Sequence, residues 1–236
     1  KRQVLDNIAN AEALVVRNGS GIEAPRDLAG KTLAVPFVST THFHTLFALE
    51  QFDLVGKVKV INLQPSDIPA AWERGDIDAA FIWDPALGKL KQNGKVLISS
   101  GTLSNWGKAT FEALVADKNF AAKHAEGMTA FTKVLQSSTA DYVKAPETWD
   151  AASPKVANVA RLSGGKAEEV PPVLALYEFP LAADQASVTW LGGGKDGGAA
   201  KALAATAEFL KEQKKVPAVL PDYSVAINAS FVEAAK

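Results

Sequence analysis

Cysteine is absent from the 236 residues, which removes disulfide scaffolds, thiolate metal sites, cysteine nucleophiles and thiol-linked lipids together. The compartment stays open, because exported bacterial proteins often fold without disulfides. An excess of one charge is missing too: 25 basic against 26 acidic side chains give no electrostatic reason to expect nucleic acid or an anionic membrane as partner. No apolar run reaches the length of a membrane span before Gly, Pro or charge interrupts it, so the chain is not expected to span a membrane. Residues 3–11 have no long apolar stretch behind Lys1 and Arg2, and no signal peptide is expected within this chain. His42, His44 and His124 have no Cys to join and form no H-E-x-x-H, so neither a metal nor another cofactor is expected. Leu191-Gly192-Gly193-Gly194-Lys195-Asp196 fails as a phosphate loop, because Thr189 stands at the first glycine position and Asp196 where magnesium needs a hydroxyl; it reads as a turn. Gly19-Ser20-Gly21 lacks the outer spacing of a nucleophile elbow. With no nucleophile, base and oxyanion donor to assemble, an enzyme is not expected.

What is present is an ordinary globular composition, 47% hydrophobic and 22% charged, long enough for one large α/β domain or two lobes. Residues 13–16, 32–35, 58–63 and 79–82 read as short buried strands. Between them, Phe43, Leu46 and Phe47 recur at helical spacing behind Ser39 and Thr40, and Asp67 is expected to cap a helix over 68–74 that Gly75 stops. Strand alternating with helix predicts a parallel sheet. After an apolar run at 111–116 the chain turns mainly helical, with helices expected over 120–134, 149–162 and 199–215, Gly-rich turns at 163–166 and 191–198, and a break at Pro171-Pro172. This second half has more apolar helix faces than strands on which to bury them.

Ordered blocks along the chain carry a resemblance. They are Ala11-Glu12-Ala13-Leu14-Val15-Val16, Val35-Pro36-Phe37-Val38-Ser39-Thr40-Thr41-His42, Val60-Ile61-Asn62-Leu63-Gln64-Pro65 and Ala70-Ala71-Trp72-Glu73-Arg74-Gly75-Asp76-Ile77-Asp78. Ala160-Arg161-Leu162-Ser163-Gly164, Glu208-Phe209-Leu210-Lys211-Glu212-Gln213 and Lys215-Val216-Pro217-Ala218-Val219 follow. Together they resemble the sulfonate, nitrate and taurine type of periplasmic solute-binding proteins of ABC importers. The resemblance implies a type II periplasmic-binding-protein α/β fold, two lobes joined by crossover strands, with the ligand clamped between them. Residues 1–15 would be the end of lobe 1 and the first crossover, 16–110 lobe 2, and 111–236 the second crossover and a helical return to lobe 1, which is expected to be incomplete. It also implies a periplasmic, exported receptor that hands taurine or a close aminosulfonate to a membrane permease and its ATPase. A receptor for an aliphatic sulfonate, nitrate or another small solute shares the scaffold. So does the cytosolic effector-binding domain of a transcription regulator.

Taurine would need a sulfonate contact at one end and an ammonium contact at the other. For the anion, the resemblance points to Thr40, Thr41 and His42, where a strand-to-helix turn offers amide hydrogens, hydroxyls and the positive end of a helix dipole; plain helix capping is the rival reading. For the cation it points to Glu12 and Glu112, each ahead of an apolar run, with Glu112 in place of the family's Asp. Trp83, at a strand's carboxyl end, would cover the ethylene unit or face the ammonium, or be core. Asp84, apolar in the family, is a third cation contact or a rim or hinge acid. Trp106 is a cleft loop residue or a loop anchor.

Overall fold

A computed structural model describes residues 2–236, and Lys1 lies outside the described residues. The chain divides into two compact units. The sheet unit comprises Ile8–Thr110 with Glu212–Lys215; the helical unit comprises the residues up to Asn7, Phe111–Lys211 and Val216–Lys236.

Strand β1 (Arg2–Asn7) belongs to the helical unit. The sheet unit follows as β2 (Glu12–Arg17), β3 (Thr32–Val35), α1 (Thr40–Gln51), β4 (Lys59–Asn62), α2 (Ile68–Arg74), β5 (Ala79–Trp83), α3 (Ala86–Leu90), β6 (Gly94–Ser99) and α4 (Ser100–Asn105). Its five strands lie in the order β4-β3-β5-β2-β6. The expected all-parallel sheet is corrected at one strand: β3 runs parallel to β4 and β5, but β2 is antiparallel to both of its neighbours, β5 and β6. No crossover helix forces β2 into the common direction, because it reaches β3 through a loop holding a single 3-10 turn, Pro25–Leu28.

Alternation along β2 splits the core in two. Leu14 and Val16 pack with Leu33, Val35, Phe81, Phe47 and Leu103 on the face covered by α1 and α4. Ala13 and Val15 pack with Ile82, Ile68, Trp72 and Leu87 on the face covered by α2 and α3. Both faces are dry, which is why the central strands read as continuous apolar runs. Ile8–Val15 belong to the sheet unit, with Glu12–Val15 held there by pairing with β5 and Ala13–Val15 also by pairing with β6. Asp67 makes no side-chain cap on α2; Gly75, at φ +79°, ends that helix as expected.

In the helical unit, β7 (Phe111–Val115) pairs antiparallel with β1. Helices α5 (Lys118–Lys123), α6 (Ala125–Lys144), α7 (Pro154–Ser163), α8 (Val170–Leu174), α9 (Ala182–Ala186), α10 (Gly198–Glu212) and α11 (Ser230–Glu233) follow. The helix expected over 120–134 is two helices broken at His124 (φ −121°, ψ 39°). The one expected from 149 starts only at Pro154, a favourable first-turn proline, while Trp149 stays outside and donates to Asp141. Lys214, at φ +57°, lies just past the end of α10. The turn before α10 needs its glycines: a Cβ on Gly197 or Gly198 would come within 2.0 or 1.8 Å of the Gly192 and Thr189 carbonyl oxygens. Along the 20 residues of α6 only Thr132 and Gln136 are buried, and a groove of about 700 Å³ between β7, α5, α6 and α11 is lined by Leu114, Phe120, Met128, Phe131 and Phe231. Among the described residues no helix is long and apolar enough to cross a membrane.

Candidate functional site

Reversal of β2 sets the geometry of the sheet unit's rim. Its first residue, Glu12, lies level with Trp83, the last residue of β5, and Ala13 lies level with Ser99, the last of β6. Glu12 is thereby held at the carboxyl ends of the neighbouring strands, the edge at which α/β sheets tend to bind ligands. It is 5% exposed. Its Oε1 accepts from the Thr40 hydroxyl at the start of α1, and its Oε2 lies 3.1 Å from the Ser100 hydroxyl at the start of α4.

The turn between β3 and α1 is tightly built. Ser39 is the N-cap: its Oγ donates to the Pro36 carbonyl (2.6 Å) and accepts from the His42 amide (3.1 Å), which leaves the Thr41 hydroxyl, 2.8 Å away, as donor to it. Asn62 Oδ1 receives the Phe37 amide at 2.9 Å. Val38 takes φ +63°, a left-handed conformation that a β-branched residue adopts only under strain. Its amide donates to His42 Nδ1 at 3.1 Å, and the His42 ring stacks on Phe37 with centroids 4.3 Å apart. Burial lowers the His42 pKa, which keeps the ring neutral and Nδ1 available as an acceptor. Of the three expected anion contacts, Thr41 and His42 therefore have buried side chains that hold the turn, and Thr40 has its hydroxyl on Glu12.

The remaining expected residues fall in different places. Trp83 is half-buried, opposite Glu12, and packs at the edge of the α2–α3 core. Asp84 accepts the Gly88 amide at 2.9 Å, so its carboxylate caps the first turn of α3 ahead of the cis Asp84-Pro85 bond. Trp106 is 46% exposed and meets Phe52 edge-on, 5.8 Å between centroids. Phe52 caps the far end of α1, and a 12-residue helix is about 18 Å long, so the structure does not bring Trp106 to Glu12 and Thr40. Glu112 belongs to the helical unit, where it is exposed and stands opposite Asp6. Burial, helped by the Glu112 charge, pushes the Asp6 carboxyl up to about 7.

Two residues that the sequence reading left aside complete the rim. His44 and Ser100 are both fully buried, with Nδ1 of His44 2.7 Å from Ser100 Oγ and Nε2 2.7 Å from the Lys108 carbonyl. The one sequence signal for His44 was a polar residue one turn after Thr40 on the buried face of α1. Ser100 in turn lies against Glu12 Oε2, so the buried pair backs the carboxylate at the rim.

The profile of the NMT1/THI5-like family matches residues 4–149. The taurine-binding periplasmic protein of Escherichia coli K12 is 41% identical over 228 residues, 96% of this chain and 68% of that protein. Among solved structures, the periplasmic aliphatic sulphonate-binding protein SsuA of Escherichia coli superimposes with a TM-score of 0.73 over 98% of this chain and 75% of its own, at 21% identity. The desulfurization enzyme DSZB gives 0.62 over 99% and 78%, at 13% identity. The fold is that of the type II periplasmic binding proteins, and it houses binders and an enzyme alike. With the family profile spanning more than half of its residues and a 41% identical relative aligned along nearly its whole length, the chain belongs to the NMT1/THI5-like family, in the company of a taurine-binding periplasmic protein.

Proposed function

We propose that this chain is the solute-binding component of an ABC importer, a periplasmic receptor that captures taurine or a close aminosulfonate and passes it to a membrane permease and its ATPase. The single observation that supports this most is the 41% identity to the taurine-binding periplasmic protein over 96% of the chain. No covalent step is proposed, since the 41% identical relative is a binding protein.

In this reading the start of α1 receives the sulfonate. The first amides of a helix have no intrahelical acceptor. Ser39 takes up those of His42 and Phe43, on its hydroxyl and carbonyl respectively; the amides of Thr40 and Thr41 would face the anion, while the Thr40 hydroxyl donates to Glu12. Glu12 would pair with the ammonium, and Trp83, opposite it, would cover the ethylene unit and offer its ring face to the cation. Glu112 is proposed as a further cation contact in the helical unit. Asp84 and Trp106 drop out of the proposed site, the first as a helix cap and the second as a loop anchor.

Isothermal titration calorimetry with taurine and with ethanesulfonate, which lacks the amine, tests the reading. Ethanesulfonate is expected to bind at least ~10-fold more weakly, about 1.4 kcal/mol, and Glu12→Gln is expected to remove that difference. Equal affinity for the two ligands would replace the aminosulfonate receptor by a receptor for simple sulfonates.

A further inference from the structure

The turn that joins β3 to α1 spends its amide hydrogens unevenly. Pro36 has none to offer; the Phe37 amide goes to Asn62 Oδ1 at 2.9 Å, and the Val38 amide to His42 Nδ1 at 3.1 Å. The His42 and Phe43 amides go to the hydroxyl and carbonyl of Ser39. Among the described residues no acceptor is bonded to the amides of Ser39, Thr40 and Thr41, three in succession. Their direction depends on Val38, whose φ of +63° sets the course of the chain from Phe37 into Ser39. A β-branched residue keeps that conformation only where its surroundings over-determine it. The bonds on the Phe37 and Val38 amides do so, but they are not equivalent. His42 follows in the same segment and moves with the turn. Asn62 is the last residue of β4, level with Val35 in the parallel β3–β4 ladder, and anchors the turn to the sheet from outside.

The Phe37 amide can only donate, so the Asn62 carboxamide turns its oxygen inward and its NH2 group outward from an exposed side chain. An Asp at this position could hold the same amide, but it would set a negative charge beside a turn read as the seat of a sulfonate. We propose that Asn62 is a positioning residue for sulfonate capture: as an uncharged acceptor it fixes the Phe37 amide, holds Val38 in its left-handed conformation and keeps the amides of Ser39, Thr40 and Thr41 aimed at the anion without opposing its charge. The block Val60-Ile61-Asn62-Leu63-Gln64-Pro65, from which no ligand contact was drawn, thereby acquires a role at its third residue.

This inference rests on the start of α1 as the sulfonate site and not on the ammonium contacts, so ethanesulfonate and taurine both serve as probes. Calorimetry of the two ligands with the parent, Asn62→Asp and Asn62→Ala tests it, alongside urea unfolding and hydrogen exchange at the Phe37 amide. Asn62→Asp retains the acceptor, so its unfolding midpoint and the protection of the Phe37 amide should match the parent. Both ligands should nevertheless bind it at least about tenfold more weakly at low salt, the deficit shrinking toward parity in about 1 M salt, where the Debye length is about 3 Å. Asn62→Ala should expose the Phe37 amide to exchange and weaken both ligands about fivefold, with a deficit indifferent to salt. Parental affinity in either variant, or a deficit in Asn62→Asp that salt does not reduce, would overturn the proposal and leave the receptor reading standing. A parent that binds neither ligand would overturn the receptor reading and this role of Asn62 together.

Discussion

Asp6 and Glu112 face each other directly across the β1–β7 ladder. Burial first, and the Glu112 charge second, raise the Asp6 carboxyl from 3.8 to about 7, so over that interval the folded chain holds a proton that the unfolded chain has lost. The corresponding stability is complete below pH 3.8 and disappears as pH rises through about 7. Asp6→Asn should therefore be more stable than the parent above that pH, by ~1–2 kcal/mol once screening at this partly exposed group is allowed for. Thermal melts at pH 5 and pH 8 check it: the parent should lose more on going to pH 8 than the variant does. Equal losses would show that another group titrates.

Ser39→Ala removes the oxygen that accepts the His42 amide and the Thr41 hydroxyl and that ties back to Pro36. Urea unfolding should show a loss of ~1–2 kcal/mol, and Ser39→Asp should recover most of it. A variant as stable as the parent would mean that the turn does not depend on its cap.

Val38 at φ +63° stores about 1–3 kcal/mol of backbone strain, against which a glycine costs about 0.5–1 kcal/mol in chain entropy. Val38→Gly is thus expected to be neutral to stabilising by ~1–2 kcal/mol in the same urea experiment. Taurine affinity should fall, because the amides of Thr40 and Thr41 would be less firmly positioned. Greater stability with unchanged affinity would detach this strain from ligand binding.

Trp106→Ala removes the edge-on contact with Phe52, worth about 0.5–1.5 kcal/mol. Taurine affinity should stay within about twofold, roughly 0.4 kcal/mol. A drop of tenfold or more in calorimetry would return Trp106 to the site.

How much of this could be read from the residues depended on sequence range. Residues 32–35 are legible as a strand because an apolar run sits between Lys31 and Pro36, and β3 has those limits. Strand β6 escaped notice because Lys95 and Val96 are exposed and blur any alternation. The direction of β2 was illegible, since nothing local to residues 12–17 records that β5 and β6 lie on either side of it. Glu12 and Thr40 could each be singled out from a strand end and a helix start, yet the bond joining them spans 28 residues. Ser100 and His44 stand 88 and 56 residues from their partners Glu12 and Ser100, and no spacing rule reaches that far. Trp106 could be read two ways, as a cleft loop residue or as a loop anchor, because the edge-on contact of its ring with Phe52 at the end of α1 joins residues 54 apart in the chain.

The upside-down course of β2 also divides labour between the two rims of the sheet. Glu12 and Arg17 are the first and last residues of β2, about 17 Å apart, and the neighbours of Arg17, Asp78 and the loop of residues 18–31, lie at the opposite edge. Insertions, tags or fluorescent labels placed in that loop meet a margin remote from the carboxylate, so it is the natural place to attach a reporter without disturbing capture.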